Sequence, residues 1–296
     1  MLRALPALLL VAAFVAACGT SKSAPPAAGS PGVPIAVTAD WGTAAIADGA
    51  GTPGSVVSAT RGVTKIATTY GGRYVSSIGG KAGDGTRDWI FWINGIEASV
   101  GAADVKVSAQ DSVWWDLHRW PGRVHVPAVI ASWPMPLTRG ITGQSSPVTA
   151  DAPLSTALRK AGANVTLPAA TSGPRALVGG GAVLLKRDPT WRAAVANPTA
   201  AGLTAWIDHK GHVRVWDAQA QKARLVPTAV AVIVATTDGF GAGDPPVVVV
   251  AGITPETATA AAQYLVQHPE VTHHTTALCL GRDNQIDCVG GVGLVQ

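Results

Sequence analysis

Asp116 and His118 stand two residues apart in "SVWWDLHRW", so on an extended backbone both side chains leave the same face. A carboxylate beside an imidazole is the smallest acid–base pair a chain can offer. No nucleophile motif accompanies it, and no G-x-S-x-G elbow occurs anywhere in the sequence. The pair is therefore expected to be a polar strand edge beside Trp114. "HPEVTHH" gathers His268, Glu270, His273 and His274, but Pro269 breaks the helix there and no H-x-x-x-H spacing results. That segment reads as a helix end with solvated histidines, and no metal is assigned. His209 and His212 flank a tight turn and should be exposed. Gly179-Gly180-Gly181 runs into Ala-Val-Leu-Leu and reads as extended chain, while Gly239–Pro246 joins two strands. Neither is a phosphate-binding loop or a dinucleotide fingerprint. The chain is expected to bind rather than to react, with no catalytic residue and no resident cofactor.

The aromatic residues carry more information. They make up only 5% of the chain, yet Trp89, Phe91 and Trp92 fall within four residues of "DWIFWING". Five of the ten tryptophans lie between Trp89 and Trp120, with Trp133 soon after. On a strand, Trp89, Phe91 and Ile93 share one face, and Ile90, Trp92 and Asn94 the other. Large apolar groups on both faces mean a central or covered strand. Burying all five tryptophans in so small a unit is difficult, so at least one is expected at the surface, where indole rings commonly bind partners.

Stepping outward from these residues, "MLRALPALLLVAAFVAAC" opens the chain with one positive charge, Arg3, and an apolar run too short to span a bilayer comfortably. Val15-Ala16-Ala17-Cys18 resembles the bacterial lipobox. That resemblance implies a signal peptide at 1–17, a diacylglyceryl group on Cys18, further acylation of its amino group, and anchorage to the extracytoplasmic face of the cell membrane. Two acyl chains suffice for stable attachment at ~0.8 kcal/mol per buried methylene. Residues 18–34 then read as a Pro-, Ser- and Ala-rich tether. The net charge of +4 falls to +3 without Arg3, and the scattered basic residues exclude nucleic acid as a partner. With Cys18 assigned to lipid, Cys279 and Cys288 remain in "CLGRDNQIDC". A two-residue turn at Asp283-Asn284 pairs Leu280 with Asp287 and Cys279 with Cys288, in a register that a disulfide tolerates.

Residues 35–120 read as a mostly β unit with one short helix near "TPGSVVSATRGVTKI". Pro53-Gly54-Ser55-Val56-Val57, "GRYVSSIGG" from Gly72, "DWIFWING" from Asp88, Gly101–Val105 and Asp111–Trp115 come in the order and spacing of a known domain. This stretch resembles the C-terminal β domain of transcobalamin and intrinsic factor, which bacterial lipoproteins also carry. The resemblance implies a β-grasp-like fold that closes over a corrinoid from one side. In the carriers an α-helical barrel holds the other side, and no run of paired helices follows here. Ligand contacts carry over only to the aromatic strand and its turn, Trp89, Trp92, Asn94 and Gly95, with Trp114 added from the neighbouring strand.

Residues 121–296 alternate strands with helices, which indicates an α/β layered domain. "VHVPAVIAS" reads as a strand; Asp151, Asp188 and Thr254 each precede a proline and a helix. "TAVAVIVATT" and "PPVVVVAGI" are apolar runs typical of strands covered on both faces. A ligand cleft is expected where the two regions meet, near Trp114–Trp133. The functional expectation is a lipid-anchored protein that captures a corrinoid or another flat ligand for a transporter. An adaptor or envelope-assembly protein is the alternative, and a hydrolase ranks third.

Overall fold

Alternation in "VPIAVTA" puts Val33, Ile35, Val37 and Ala39 on one face, and in the computed structural model of the chain all four are buried. The structure describes residues 32–119, 125–141, 143 and 146–294. The expected leader, Cys18 and the tether up to residue 31 lie outside the described residues, as does Trp120. Val33 and Pro34, assigned from sequence to the tether, already belong to the first strand.

That strand, Val33–Ala39, lies at the heart of a five-stranded sheet. The order is Ala44–Gly51, Val33–Ala39, Val113–Arg119, Arg87–Ile93 and Ile96–Glu97. The first strand runs parallel to Val113–Arg119, and every other pair is antiparallel. One helix, Val56–Arg61, turns Val56, Val57, Ala59 and Thr60 inward and is capped by Ser55, whose hydroxyl accepts from Ser58 N at 3.1 Å. An initial hairpin, a crossing helix and a last strand parallel to the first make the β-grasp arrangement. The aromatic strand is central, as its two apolar faces require. Trp89 and Ile93 join the helix-side core, while Trp92 faces the other way.

The second sheet has eight strands in the order Val165–Thr166, Val148–Ala150, Arg175–Gly180, Pro246–Gly252, Ala231–Thr237, Ala277–Leu280, Ile286–Val289 and Gly293–Leu294. The first four are parallel and the rest antiparallel. Every residue of Ala231–Thr237 and Pro246–Gly252 is buried, because both faces are covered. Helices Ala152–Lys160 and Pro255–Gln267 supply Leu154, Leu158, Ala261 and Leu265 to one face. On the other face, Trp191, Trp206 and Trp216 join Trp41, Trp92 and Trp114 of the grasp sheet in one continuous apolar cluster. The two sheets therefore share a core. Among the described residues no helix is long and apolar enough to cross a membrane.

Four local expectations need correction. Of "VHVPAVIAS" the described part, residues 125–132, forms no strand: with Pro127 in it, it makes one bridge, Ala128 to Ile96, and lends Val129 N to Gly95 O at 2.8 Å. Gly181–Arg187 is a helix rather than extended chain. Glycine and Val183 argue locally against helix, and Leu184, buried in the core, overrides them. Asp151 occupies the N-cap of its helix, yet its carboxylate accepts from Val178 N at 2.7 Å and pairs with Arg187 instead of capping. Cys279 and Cys288 are paired and bonded, with their Cα atoms 4.9 Å apart. The turn is wider than two residues: Gly281 N bonds Gln285 O, and a bulge sets Leu280 opposite Ile286 rather than Asp287.

Candidate functional site

The face of the grasp sheet that meets the second sheet is read most easily in rows. Strand register aligns Asp48, Ala36, Trp114, Trp92 and Glu97 across it. Ala36 is the small member between a carboxylate and an indole, and the space above it stays open. Trp133 and Met135, from the segment after the grasp sheet, and His273 and His274, from the end of the last helix, enclose that space. The result is a groove of about 360 Å³. Ser112 Oγ and Ser132 Oγ, 2.9 Å apart, close one side of it.

Behind Trp114 a buried polar network fixes the wall. Trp114 Nε1 donates to Thr38 Oγ1 at 2.8 Å, and Thr38 Oγ1 donates to Asp116 Oδ2 at 2.5 Å. Asp116 is wholly buried and also accepts from Trp41 N, Gly42 N and His118 Nδ1, at 3.0, 2.9 and 2.7 Å. Asp40, Trp41 and Gly42 have φ of 55°, 63° and 85°, a left-handed turn that costs energy at the two non-glycine positions. Consecutive N–H groups in such a turn form a concave anion seat, and Asp116 fills it. The turn in turn presses on the second sheet. A Cβ on Gly42 would lie 2.1 Å from His274 O, and one on Gly291 would lie 2.6 Å from Trp41. Aromatic rings follow the same path: His118 stacks on Trp41 at 3.9 Å, Trp92 on Trp114 at 4.8 Å, and Trp114 faces His274 at 6.3 Å.

Asp116 and His118 are thus a bonded pair, but not the polar strand edge expected, since their strand lies between two others. Both are at most 2% exposed, roofed by Trp41 and Trp92. A nucleophile relay places the imidazole between hydroxyl and carboxylate. Here the carboxylate is in the middle, with Thr38 and His118 on its two oxygens.

The remaining aromatic-strand residues are spent on structure. Trp89 Nε1 donates to Lys81 O at 3.2 Å, and Trp92 Nε1 to Val126 O at 2.8 Å. Asn94 and Gly95, at φ 53° and 83°, form the two-residue turn between Ile93 and Ile96. Asn94 Nδ2 donates to Asp111 Oδ1 and Gly140 O, and its Oδ1 accepts from Ser112 N. Asp111 also accepts from Ser108 and Arg139. Burial alone would raise its pKa, but the hydrogen bonds from Asn94, Ser108 and Arg139 outweigh that and hold it below the usual carboxylate range. Trp89, Trp92, Trp114 and Trp115 are all less than a tenth exposed. Of the residues proposed from sequence, only Trp114 lines the groove, at the junction where a cleft was expected.

Sequence reading missed His274, Asp48, Trp41 and Thr38. Nothing in their spacing joins them, since strands 77 residues apart bring Thr38 to Trp115. The one available signal was Asp40-Trp41-Gly42, a turn composition directly after an alternating strand. His273 is exposed as expected, whereas His274 is half-buried and walls the groove. Burial pushes its imidazole below the ordinary histidine range; His273 adds to the shift, and Asp48 and Asp116 oppose it. His209 and His212 are exposed beside their turn. Among the described residues no three His, Cys, Asp or Glu side chains gather to hold a metal.

Residues 54–119 match a family described as Domain of unknown function (DUF4430). That family is transcobalamin-like, in keeping with the motifs that run from Pro53 to Trp115. No curated protein and no solved structure matches the chain.

Proposed function

We propose that this protein is a lipid-anchored, extracytoplasmic, non-catalytic lipoprotein that binds a small, flat, partly apolar ligand in the groove between its two sheets, for delivery to a transporter. One observation carries the reading. Among the described residues, the side chains of Asp48, His273 and His274 form no hydrogen bond or ion pair, yet all three converge on a groove walled by Trp114, Trp133 and Met135. Few polar groups aimed into an apolar concavity are what small-molecule sites have in common, and about 360 Å³ lies at the lower end of their ~300–1,000 Å³ range. A corrinoid, the ligand suggested by the transcobalamin likeness, would be gripped by an edge or side arm rather than enclosed. Among the described residues no helical barrel supplies the second half of such a site.

Native mass spectrometry of the mature protein, released in mild detergent, tests this together with calorimetric titration by cyanocobalamin and small aromatic probes. Expected are a diacylglyceryl mass on Cys18 and a bound small molecule that Trp114→Ala abolishes. An unmodified Cys18 sinks the anchor. An empty groove that takes up none of the probes sinks the ligand reading.

The adaptor alternative draws on a different surface. Tyr70 is 84% exposed, Tyr74 45% and Val100 53%. Their loops touch, since a Cβ on Gly101 would lie 3.0 Å from Arg73 O and one on Gly72 3.1 Å from Ala103 Cβ. Elsewhere in the chain the exposed apolar side chains, such as Leu167 and Leu225, belong to separate elements. Binding of a protein partner that Tyr70→Ser weakens, with the groove empty, would favour it.

A further inference from the structure

The groove's charge balance says more than its shape. Its polar lining contributes one carboxylate, Asp48, and no lysine or arginine. Asp48 forms no ion pair among the described residues, and the rest of the lining is apolar, aromatic or imidazole apart from the hydroxyls of Ser112 and Ser132, which bond to each other. Burial pushes the His274 imidazole below the ordinary histidine range, so that wall disfavours a positive charge of its own. The other walls are two indole rings and a thioether, all electron-rich and polarisable. An anionic ligand would meet a bare carboxylate with no basic side chain to receive it. A neutral ligand would leave Asp48 uncompensated.

Resting on the reading of this groove as a ligand site, we propose that it selects organic cations, an aromatic or alkyl body carrying an ammonium or other positive centre. The apolar body lies against Trp114, Trp133 and Met135, with the charge directed to Asp48. An indole face and a carboxylate each attract a cation weakly where water still reaches them. Together they give about fivefold to tenfold preference over an uncharged isostere. The preference is pH-dependent. Three titratable groups surround His274: Asp48 on the sheet edge, His273 in its own segment and the buried Asp116 behind Trp114. Acidification to below the ordinary histidine range puts a proton on His274 and a positive charge beside the bound cation, so affinity falls there.

Three probes with one ring system test this in the full-length protein by calorimetry: (2-naphthylmethyl)trimethylammonium, 2-naphthylmethanol and 2-naphthoate. The cation is expected to bind about fivefold to tenfold tighter than the alcohol, and the carboxylate weakest. Asp48→Asn, an exposed position where folding is undisturbed, should bring cation and alcohol to within about twofold. Equal binding of cation and alcohol by the wild-type protein overturns the charge inference while the groove stands. Tighter binding of 2-naphthoate overturns it as well. Failure of all three probes defeats the groove reading itself. Unchanged selectivity in Asp48→Asn removes the assigned role of Asp48 and with it the proposal.

Discussion

Asp116→Asn is the sharpest test of how the groove wall is built, because it alters charge and hydrogen-bond sense without changing volume. The carboxylate accepts four bonds, three of them from buried donors and one, Gly42 N, from a partly buried one. An asparagine offers one oxygen, enough for two donors, and turns an NH₂ toward the others. Two donors are stranded, and each costs about 1–3 kcal/mol. The loss should therefore be about 2–6 kcal/mol, at the upper end of what single substitutions do. Part of the response should appear as opening of the Asp40–Gly42 turn, where Asp116 accepts the Trp41 and Gly42 N–H groups and two non-glycine residues are held at φ near 60°. Urea unfolding of the full chain gives the magnitude, and near-ultraviolet circular dichroism reports the Trp41–His118 and Trp92–Trp114 stacks. Thr38→Val should be non-additive with Asp116→Asn, since the two share one bond. A stability within about 0.5 kcal/mol of wild type, or full additivity, would refute the anion-seat reasoning.

Gly95→Ala should cost at least 1–3 kcal/mol in thermal or urea unfolding: φ is 83° and the added carbon would sit 2.7 Å from Pro136 Cγ and 2.8 Å from Val129 O. Cys279→Ala with Cys288→Ala opens a loop between residues nine apart and should lose about 2–3 kcal/mol by the chain-entropy account, read as the urea midpoint under oxidising conditions. His125 gives a pH signature. Its Nδ1 lies 2.6 Å from Glu97 Oε2, and its Nε2 lies 2.9 Å from Phe240 O, which only accepts. Both contacts favour the imidazolium, and the Glu97 contact raises the pKa most, opposed by burial and helped by Phe240 O and Asp244. A raised folded value means that this stabilisation is complete below ~6.5 and is lost as pH climbs through the folded pKa. The wild-type protein should weaken over that rise, and His125→Gln should flatten it in pH-resolved unfolding.

What the sequence disclosed follows the range of the forces involved. Alternation placed Trp89, Phe91 and Ile93 on one face, and caps or prolines marked the helices after Asp151, Asp188 and Thr254, because those signals act within a few residues. Ala44–Gly51, "AAIADGAG", gave no strand signal, since small residues carry neither alternation nor β-branching. It is a strand because Val33–Ala39 offers it a paired edge. Gly181–Arg187 failed for the opposite reason, a local preference defeated by the burial of Leu184. Trp114 was legible as a groove residue because its density of aromatic neighbours is local. His274, Asp48 and Thr38 were not, because only pairing of distant strands assembles them.

The groove also shows why the matched family span does not by itself define the function. Residues 54–119 include Ser112, Val113 and Trp114 of the lining, but not Ala36, Asp48, Trp133 or His274. They also omit Val33–Ala39, which sits between Ala44–Gly51 and Val113–Arg119 and supplies Val33, Ile35, Val37 and Ala39 to the grasp core. A fragment of residues 54–119 should therefore fail to fold. Residues 33–119 complete the sheet but bare the face that carries Trp41, Trp92 and Trp114. At roughly 150–250 Å² per indole that is about 500 Å² of apolar surface, enough to drive association of an isolated domain. Sedimentation of the 33–119 fragment should show dimers or larger species, with tryptophan emission red-shifted from that of the full chain. A monomer with unshifted emission and cooperative unfolding would mean that the second sheet is not needed to cover this face, and the groove would then be a seam between two independent domains rather than a product of one shared core.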